Sequence, residues 1–381
     1  MLNILDYVQC DEKQLRNKLR DRLGLHTVSE IMGEDIYIWG IGALGQFVVE
    51  QFKKNGLKVK GILTSDTKQI GMNYEGIPFV SLDCLKVEDM IVVCSMAYPV
   101  IAEKLSYKGY KKYFYYEVLP FLFDELDSFY MGFDGMWETL TKYRQEVRNL
   151  QEIFAHDEVS QEVLSNVLLY RYTFETAYLD KAFLVSLERG SIYFDRSIVK
   201  LSDHEVFVDC GGYTGDTVES FILHSHNRYK KIFLFEPDNA ILKTAQENLK
   251  GYQNISFFNE GIGKTKSKLF FEEKGSIGGG TVSFQGKTEI IITSLDEAIK
   301  DFDPTYIKMD IEGSEMDALR GAVKTVSSCR PKMAISVYHH PYDIVEITEY
   351  MQKLLLDYEF YLRHYSRMYD DTVLYCIPKK K

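Results

Sequence analysis

Acids and imidazoles stand close together at two places in the C-terminal half of this chain. Asp310-Ile311-Glu312 follows the run Ile307-Lys308-Met309, and His339-His340 follows Ala334-Ile335-Ser336-Val337-Tyr338. Carboxylates and histidines in such positions can take a proton from a hydroxyl near neutral pH. A third place suits ligand binding rather than proton transfer. Val206-Phe207-Val208 ends in Asp209-Cys210 and passes into Gly211-Gly212-Tyr213-Thr214-Gly215. Glycines there let backbone and ligand approach closely, ahead of a segment that can open a helix. A further apolar run, Lys231-Ile232-Phe233-Leu234-Phe235, ends in Glu236-Pro237-Asp238. Glu236 falls about where the carboxylate of a second strand meets two ribose hydroxyls.

All of these groups must be carried by strands that end at one edge of a sheet, because ligands of open α/β sheets collect beyond the carboxyl ends of the strands. The runs around Val206, Lys231, Ile307 and Ala334 read as such strands. Ile255-Ser256-Phe257-Phe258 adds another, followed by Asn259-Glu260-Gly261-Ile262. Thr293-Ser294-Leu295-Asp296-Glu297 opens a helix, while Tyr358–Leu362 and Thr372–Cys376 read as a terminal antiparallel pair. Strand alternation would place Asp310 and Glu312 on one side and Ile311 on the other. The competing reading is a capped helix start, since Ser314 and Glu315 suit a first turn. Asp216 and Asp238 fit a helix cap or a solvated turn equally well.

In this order and spacing the set closely resembles the FkbM family of S-adenosylmethionine-dependent methyltransferases. The resemblance covers roughly residues 191–378, and Lys308–Glu315 is its most specific block. Cys210 departs from the small or aliphatic residue usual in the family, a minor change for a small, weakly hydrophobic side chain. The resemblance implies a class I (Rossmann-like) methyltransferase core within an α/β protein, S-adenosylmethionine as cofactor, and methylation of hydroxyls of sugars, glycan precursors or secondary metabolites. It places Asp209, Gly211, Gly212 and Gly215 at the methionine part of the cofactor, Glu236 at the ribose, and Glu260 and Gly261 beside the adenine. Asp310, Glu312 and one of His339 or His340 would face the acceptor, with at least one as general base. The same acids and histidines could hold a metal, but nothing in their spacing demands one, and none is expected.

The N-terminal part is organised differently. Residues 1–32 read as a helical lead-in with Leu15, Leu19 and Leu23 at helical spacing. Asp35–Trp39 runs into Gly40-Ile41-Gly42-Ala43-Leu44-Gly45, a dinucleotide-type fingerprint, with Asp66 at the distance of a ribose-binding acid. Alternation of strands and helices then suggests a Rossmann-like domain over 33–118, a helical connector over 119–190 and the methyltransferase domain over 191–381. The 33–118 segment is similar, less specifically, to the nucleotide-binding-like domains of PglD-type sugar acyltransferases. This leaves open a retained fold without ligand, a nucleotide-sugar-dependent or oxidoreductase activity centred there, and a binding protein with a vestigial methyltransferase core. Gly275–Gly280 has phosphate-loop glycine spacing, but Thr281-Val282 replaces the required Lys-Ser/Thr, so a hairpin loop or lid is expected.

Composition narrows the partners. A net charge of −11 argues against nucleic acid, whose phosphates need clustered Lys and Arg. Six scattered cysteines form neither a disulfide framework nor a zinc motif. No stretch approaches the ~20 apolar residues that span a bilayer. A cytoplasmic enzyme with a small-molecule or glycan acceptor is expected, and the composition allows a homo-oligomer.

Overall fold

The computed structural model describes residues 12–129, 135–136, 139–272, 281–282 and 288–379. The Gly275–Gly280 run expected as a loop or lid lies outside these residues. The chain forms two compact units. The first comprises Met1–Trp137, Leu169–Thr176 and Lys274–Gly278, and the second Glu138–Leu168, Ala177–Glu273 and Gly279–Lys381. The segment expected as a helical connector thus contributes to both. Among the described residues no helix is long and apolar enough to cross a membrane.

In the first unit the helix Glu12–Leu23 buries Leu15 and Leu19, as its spacing dictates. Strands β1 (Ile36–Trp39), β2 (Val59–Leu63), β3 (Asn73–Tyr74), β4 (Ile77–Val80), β5 (Met90–Val93) and β6 (Tyr113–Tyr115) make one sheet in the order β3-β4-β2-β1-β5-β6. All its pairings are parallel except that of the short β3 with β4. Every residue of β5 is buried, as a strand covered on both faces requires. The order turns at β1, so Gly40 enters the crevice between β2 and β5.

The second unit contains a hairpin, β7 (Gly190–Ser191) and β8 (Phe194–Asp195). After it come β9 (Val206–Cys210), β10 (Lys231–Phe235), β11 (Ile255–Phe258), β12 (Gly261–Ile262), β13 (Ser267–Glu272), β14 (Thr281–Val282) and β15 (Thr288–Thr293). The last strands are β16 (Tyr306–Met309), β17 (Lys332–Ser336), β18 (Tyr358–His364) and β19 (Thr372–Pro378). The main sheet has the order β11-β10-β9-β16-β17-β19-β18. It is parallel from β11 to β17, and β19 runs antiparallel to both β17 and β18. This is the seven-stranded class I methyltransferase arrangement, and the terminal antiparallel pair is present as expected. Strands β12 to β15 form a separate four-stranded sheet.

Aromatic packing fixes the sheet to its first helix, Asp216–His224. Phe207 stacks on Phe221 with centroids 4.4 Å apart, and Phe194 from the hairpin meets Tyr306 edge-on at 6.0 Å. Buried Arg363 of β18 donates to Asp195 (2.8 Å) and Asp157 (2.7 Å), tying segments upstream of the sheet to its edge. Within the segment expected as a helical connector, two helices, Glu158–Thr173 and Thr176–Leu187, are separated where Phe174 adopts a left-handed backbone, φ +57°.

Candidate active site

The glycine turn after β9 is a tight junction before it is a ligand site. Gly211 has φ +84°, and a Cβ there would lie 1.9 Å from the Asp310 carbonyl oxygen at the end of β16. Gly212 and Gly215 face the Leu234 and Leu249 side chains, where a Cβ would come within 2.3 and 2.8 Å. Three glycines therefore let two strand ends and a helix start converge. The amides of Gly211 and Gly212 both donate to the Phe235 carbonyl. The next amide, of Tyr213, donates to Glu236 Oε2 at 3.0 Å, and Asp238 N donates to Oε1 at 2.9 Å. Glu236 is buried, which raises its pKa against these hydrogen bonds. Each of its oxygens retains a lone pair for a further donor. Asp238, not Asp216, is a helix cap, accepting from the Ala240 and Ile241 amides.

Glu260 and Gly261 follow β11 after the single residue Asn259. Gly261 belongs to β12, where a Cβ would meet the Ile292 side chain at 2.7 Å. Asn259 Nδ2 donates to the Glu236 and Pro237 carbonyls, which holds this strand end beside the β10 turn.

Beneath the turn lies a buried charge. Lys308, in the middle of β16, places Nζ 3.0 Å from Asp209 Oδ1, with the two side chains 3% and 0% exposed. The same ammonium donates to the Gly211 carbonyl at 2.7 Å and lies over the Tyr193 ring. Burial lifts the Asp209 pKa to about 6 against the pull of Lys308, leaving the pair ionised at neutral pH. Asp209 thus anchors the turn from below.

The acids converge on one of the two histidines, though by a route other than strand alternation. Strand β16 stops at Met309, and Glu312 (φ +55°) and Gly313 (φ +92°) form a left-handed turn, so strand alternation does not align the acids. It is this turn that brings both to His339, whose Nε2 lies 3.5 Å from Asp310 Oδ1 and 3.7 Å from Glu312 Oε2. His339 Nδ1 is 3.0 Å from Glu315 Oε1, an oxygen that also accepts from the Ile311 amide. Burial opposes charge on His339, but Glu315, Asp310 and Glu312 outweigh it and raise its pKa to about 10. It is an imidazolium at neutral pH. His340 turns away: its Nε2 contacts the Gly313 carbonyl at 3.0 Å and its amide donates to Asp343. It braces two strand-end loops.

Asp310 is held on both oxygens. Tyr193 donates to Oδ2 at 2.7 Å and Tyr338 to Oδ1 at 3.2 Å. Burial works to raise its pKa, but Lys308, His339 and the hydroxyls of Tyr193 and Ser336 hold it below the usual range. Glu312 goes the other way. Partial burial raises it, and the Asp310 and Glu315 charges add to that against His339, although its side chain is 53% exposed. Asp310, Glu315 and His339 also bring one possible metal-ligand atom each within 4.8 Å of one another. The two acids lie off different ring nitrogens, so the arrangement suits a shared imidazolium better than a shared ion.

Two participants escaped the sequence reading. Lys308 carried a signal, a lysine inside a wholly buried strand. Tyr193 carried none, since only the fold brings its hairpin to Asp310. In the first unit, Gly40 (φ +98°) packs on the Cys94 carbonyl, and a Cβ on Gly45 would lie 2.2 Å from the Gly40 carbonyl oxygen. A Cβ on Gly42 would meet nothing within 4 Å. Asp66 caps a short turn by accepting from the Lys68 amide.

Comparison with known proteins completes the assignment. The structure is similar to that of methyltransferase FkbM from Methylobacillus flagellatus KT, with a TM-score of 0.72 over 98% of this chain and 97% of that one. At 23% identity this is a likeness of fold. Lesser likenesses include an rRNA methylase from Streptococcus thermophilus (TM-score 0.32, 14% identity, 48% and 90% covered). Another is Aeropyrum pernix fibrillarin in complex with natively bound S-adenosyl-L-methionine (TM-score 0.31, 12% identity, 51% and 73% covered). No curated protein matches in sequence. The family model described as the methyltransferase FkbM domain matches residues 209–361, a span that opens at Asp209 and includes the acids of the β16 turn and His339. The chain thus carries a methyltransferase FkbM domain.

Proposed function

We propose that this protein is a cytoplasmic S-adenosylmethionine-dependent methyltransferase acting on a hydroxyl of a sugar, glycan precursor or secondary metabolite. The observation that carries the reading is the spacing of two acid sets along one sheet edge. Glu236 follows β10 and Asp310 follows β16, with only β9 between. Two strand spacings are roughly 10 Å, within the span of one nucleoside-sized ligand. The residues fit the cofactor, since Glu236 is buried, oriented by two amides, and still able to accept from two ribose hydroxyls. When bound, S-adenosylmethionine supplies an electrophilic methyl group.

The chain's own residues do the rest. Asp310, kept ionised and fixed by two tyrosines, orients the acceptor hydroxyl. Glu312, its pKa raised by partial burial and its side chain open to solvent, receives the proton. His339 keeps its own proton and holds the acids together. Alignment of acceptor and methyl carbon contributes more than the base, roughly 7–11 against about 3–5 kcal/mol.

Calorimetric titration with S-adenosylmethionine tests the cofactor assignment. Glu236→Ala should weaken binding about ten- to hundredfold, the value of one or two charge-assisted hydrogen bonds. An unchanged dissociation constant would remove Glu236 from the site. A second reading, a nucleotide or nucleotide-sugar in the first unit, is favoured by Gly42 alone. That glycine is required neither by its φ of −66° nor by a neighbour, which leaves the space above the helix start open.

A further inference from the structure

We propose that the Asp370-Asp371 turn leading into β19 forms the acceptor-facing wall of this site. We infer that the acceptor's reacting end is uncharged or cationic, a sugar-type hydroxyl or an amine, rather than phosphorylated or carboxylated. The inference rests on the methyl-transfer reading above.

The fold brings this turn to the site. Because β19 runs antiparallel beside β17, its first residues reach the edge where the parallel strands end. Ser336 is registered against Val373, and the Val337 amide donates to the Thr372 carbonyl at 2.9 Å. Asp371 therefore comes level with Tyr338, whose hydroxyl donates to Asp310. The turn is a defined one. Asp371 sits at φ +58°, and its carbonyl accepts from the Tyr365 amide at 3.0 Å.

Acceptor capacity is left over at several points around the site. Asp370 Oδ1 is buried without a hydrogen-bond partner. Glu315 is 1% exposed, and its Oε2 is likewise buried and unpartnered. Such atoms are costly unless a donor reaches them. Burial and the mutual repulsion of Asp370, Asp371 and Asp310 lift the Asp371 carboxyl to about 8 against the nearby His339 charge, so the turn carries its full negative charge only above that pH.

The neighbouring cations are already committed. Lys308 serves Asp209 and the Gly211 carbonyl, and His339 serves Glu315. Arg367, in the β18–β19 connection itself, is turned to both oxygens of Asp180 at 2.6 and 3.2 Å. Phosphate and carboxylate groups are recognised by uncommitted Arg, Lys or amide donors. An anionic acceptor would instead meet Asp310, Glu312 and the Asp370-Asp371 turn. A hydroxyl or amine can donate to these oxygens. In the transfer, the acceptor's lone pair takes the methyl carbon while the electron pair of the carbon–sulfur bond stays on sulfur. The acceptor's proton passes to Glu312.

The test uses the full-length protein, S-adenosylmethionine labelled in its methyl group, and four matched probes: methyl α-glucopyranoside, glucosamine, glucuronate and glucose 6-phosphate. Donor binding is measured separately by calorimetry. Label should enter the neutral or amino probe at least about tenfold faster than either anionic one. Asp371→Lys should narrow or reverse that ratio with donor affinity unchanged. Assayed above pH 8, where Asp371 is ionised, the isosteric Asp371→Asn should narrow it about three- to tenfold, which covers a Lys variant that does not fold. Equal or faster labelling of the anionic probes overturns the inference, as does an unchanged ratio in both variants. Transfer to none of the probes while the donor binds also overturns it. Failure of the wild-type protein to bind the donor would instead sink the methyl-transfer reading.

Discussion

Asp310 and Glu312 are two positions apart and share one histidine, yet their surroundings push them in opposite directions. Asp310 gains Lys308, His339 and two tyrosine hydroxyls, all of which favour its ionised form. Glu312 has partial burial and two like charges, which together outweigh His339 and Lys308. Carboxylates whose pKa values are driven apart divide the work, the lower staying charged and the higher exchanging the proton. The sign follows directly. A base works deprotonated, so activity should be present above the raised Glu312 pKa and lost as pH falls through it. Glu312→Gln should lower the single-turnover methylation rate by about 10²–10⁴-fold and abolish that acidic limb, while donor affinity stays near wild type. A Gln variant keeping the wild-type rate and profile would show that the proton leaves by another route. His339 could not replace it, because with a pKa of about 10 it is already protonated at neutral pH.

At the level of elements, the two glycine turns look alike in sequence and differ in what they are for. After β9 every glycine is needed by a neighbour, most severely Gly211, which combines φ +84° with the 1.9 Å approach to the Asp310 carbonyl. After β1, Gly40 and Gly45 are needed in the same way and Gly42 is not. Replacement by alanine should separate the cases. Gly211→Ala and Gly45→Ala each drive a Cβ into a backbone carbonyl and should cost more than about 3 kcal/mol or prevent folding. Gly42→Ala should cost no more than about 1 kcal/mol, the difference between glycine and alanine as a helix N-cap. Denaturant melts of the three variants measure this. A Gly42→Ala protein as unstable as Gly45→Ala would mean that Gly42 serves packing, and the case for a ligand there would lapse.

The whole molecule joins two α/β units, and the family model matches within the second apart from the short stretch Lys274–Gly278. Every residue placed at the methyl-transfer site, from Tyr193 to Asp371, also lies in the second unit. A protein beginning at residue 138 should therefore still bind S-adenosylmethionine, within about threefold of the full chain. It should also be less stable, because Leu169–Thr176 belongs to the first unit and Phe174 would lose the Phe121 ring that it meets at 5.0 Å. Calorimetry and a thermal melt on the shortened protein check both points. A folded fragment that bound no cofactor would show that the first unit completes the site.

Much of this architecture is legible in the amino-acid sequence, because local chemistry specifies it. Apolar β-branched runs ending in an acid or a glycine mark strands and their turns, and their order alone implies the sheet and the meeting of Asp310 and Glu312 with one of the two histidines. What local chemistry does not specify is direction and state. Two adjacent histidines are indistinguishable in sequence, and only the left-handed turn at Glu312-Gly313 commits His339 to the acids and His340 to the Gly313 carbonyl. The strand pattern around Asp310 suggests alternation, but the strand has already ended at Met309. Tyr193 and Asp371 lie far from Asp310 along the chain, and no spacing rule connects them. Their arrival is set by a hairpin and an antiparallel edge strand. The charge state of each group follows from those arrivals, since a pKa is determined by burial and by neighbouring charges, and both exist only once the chain is folded.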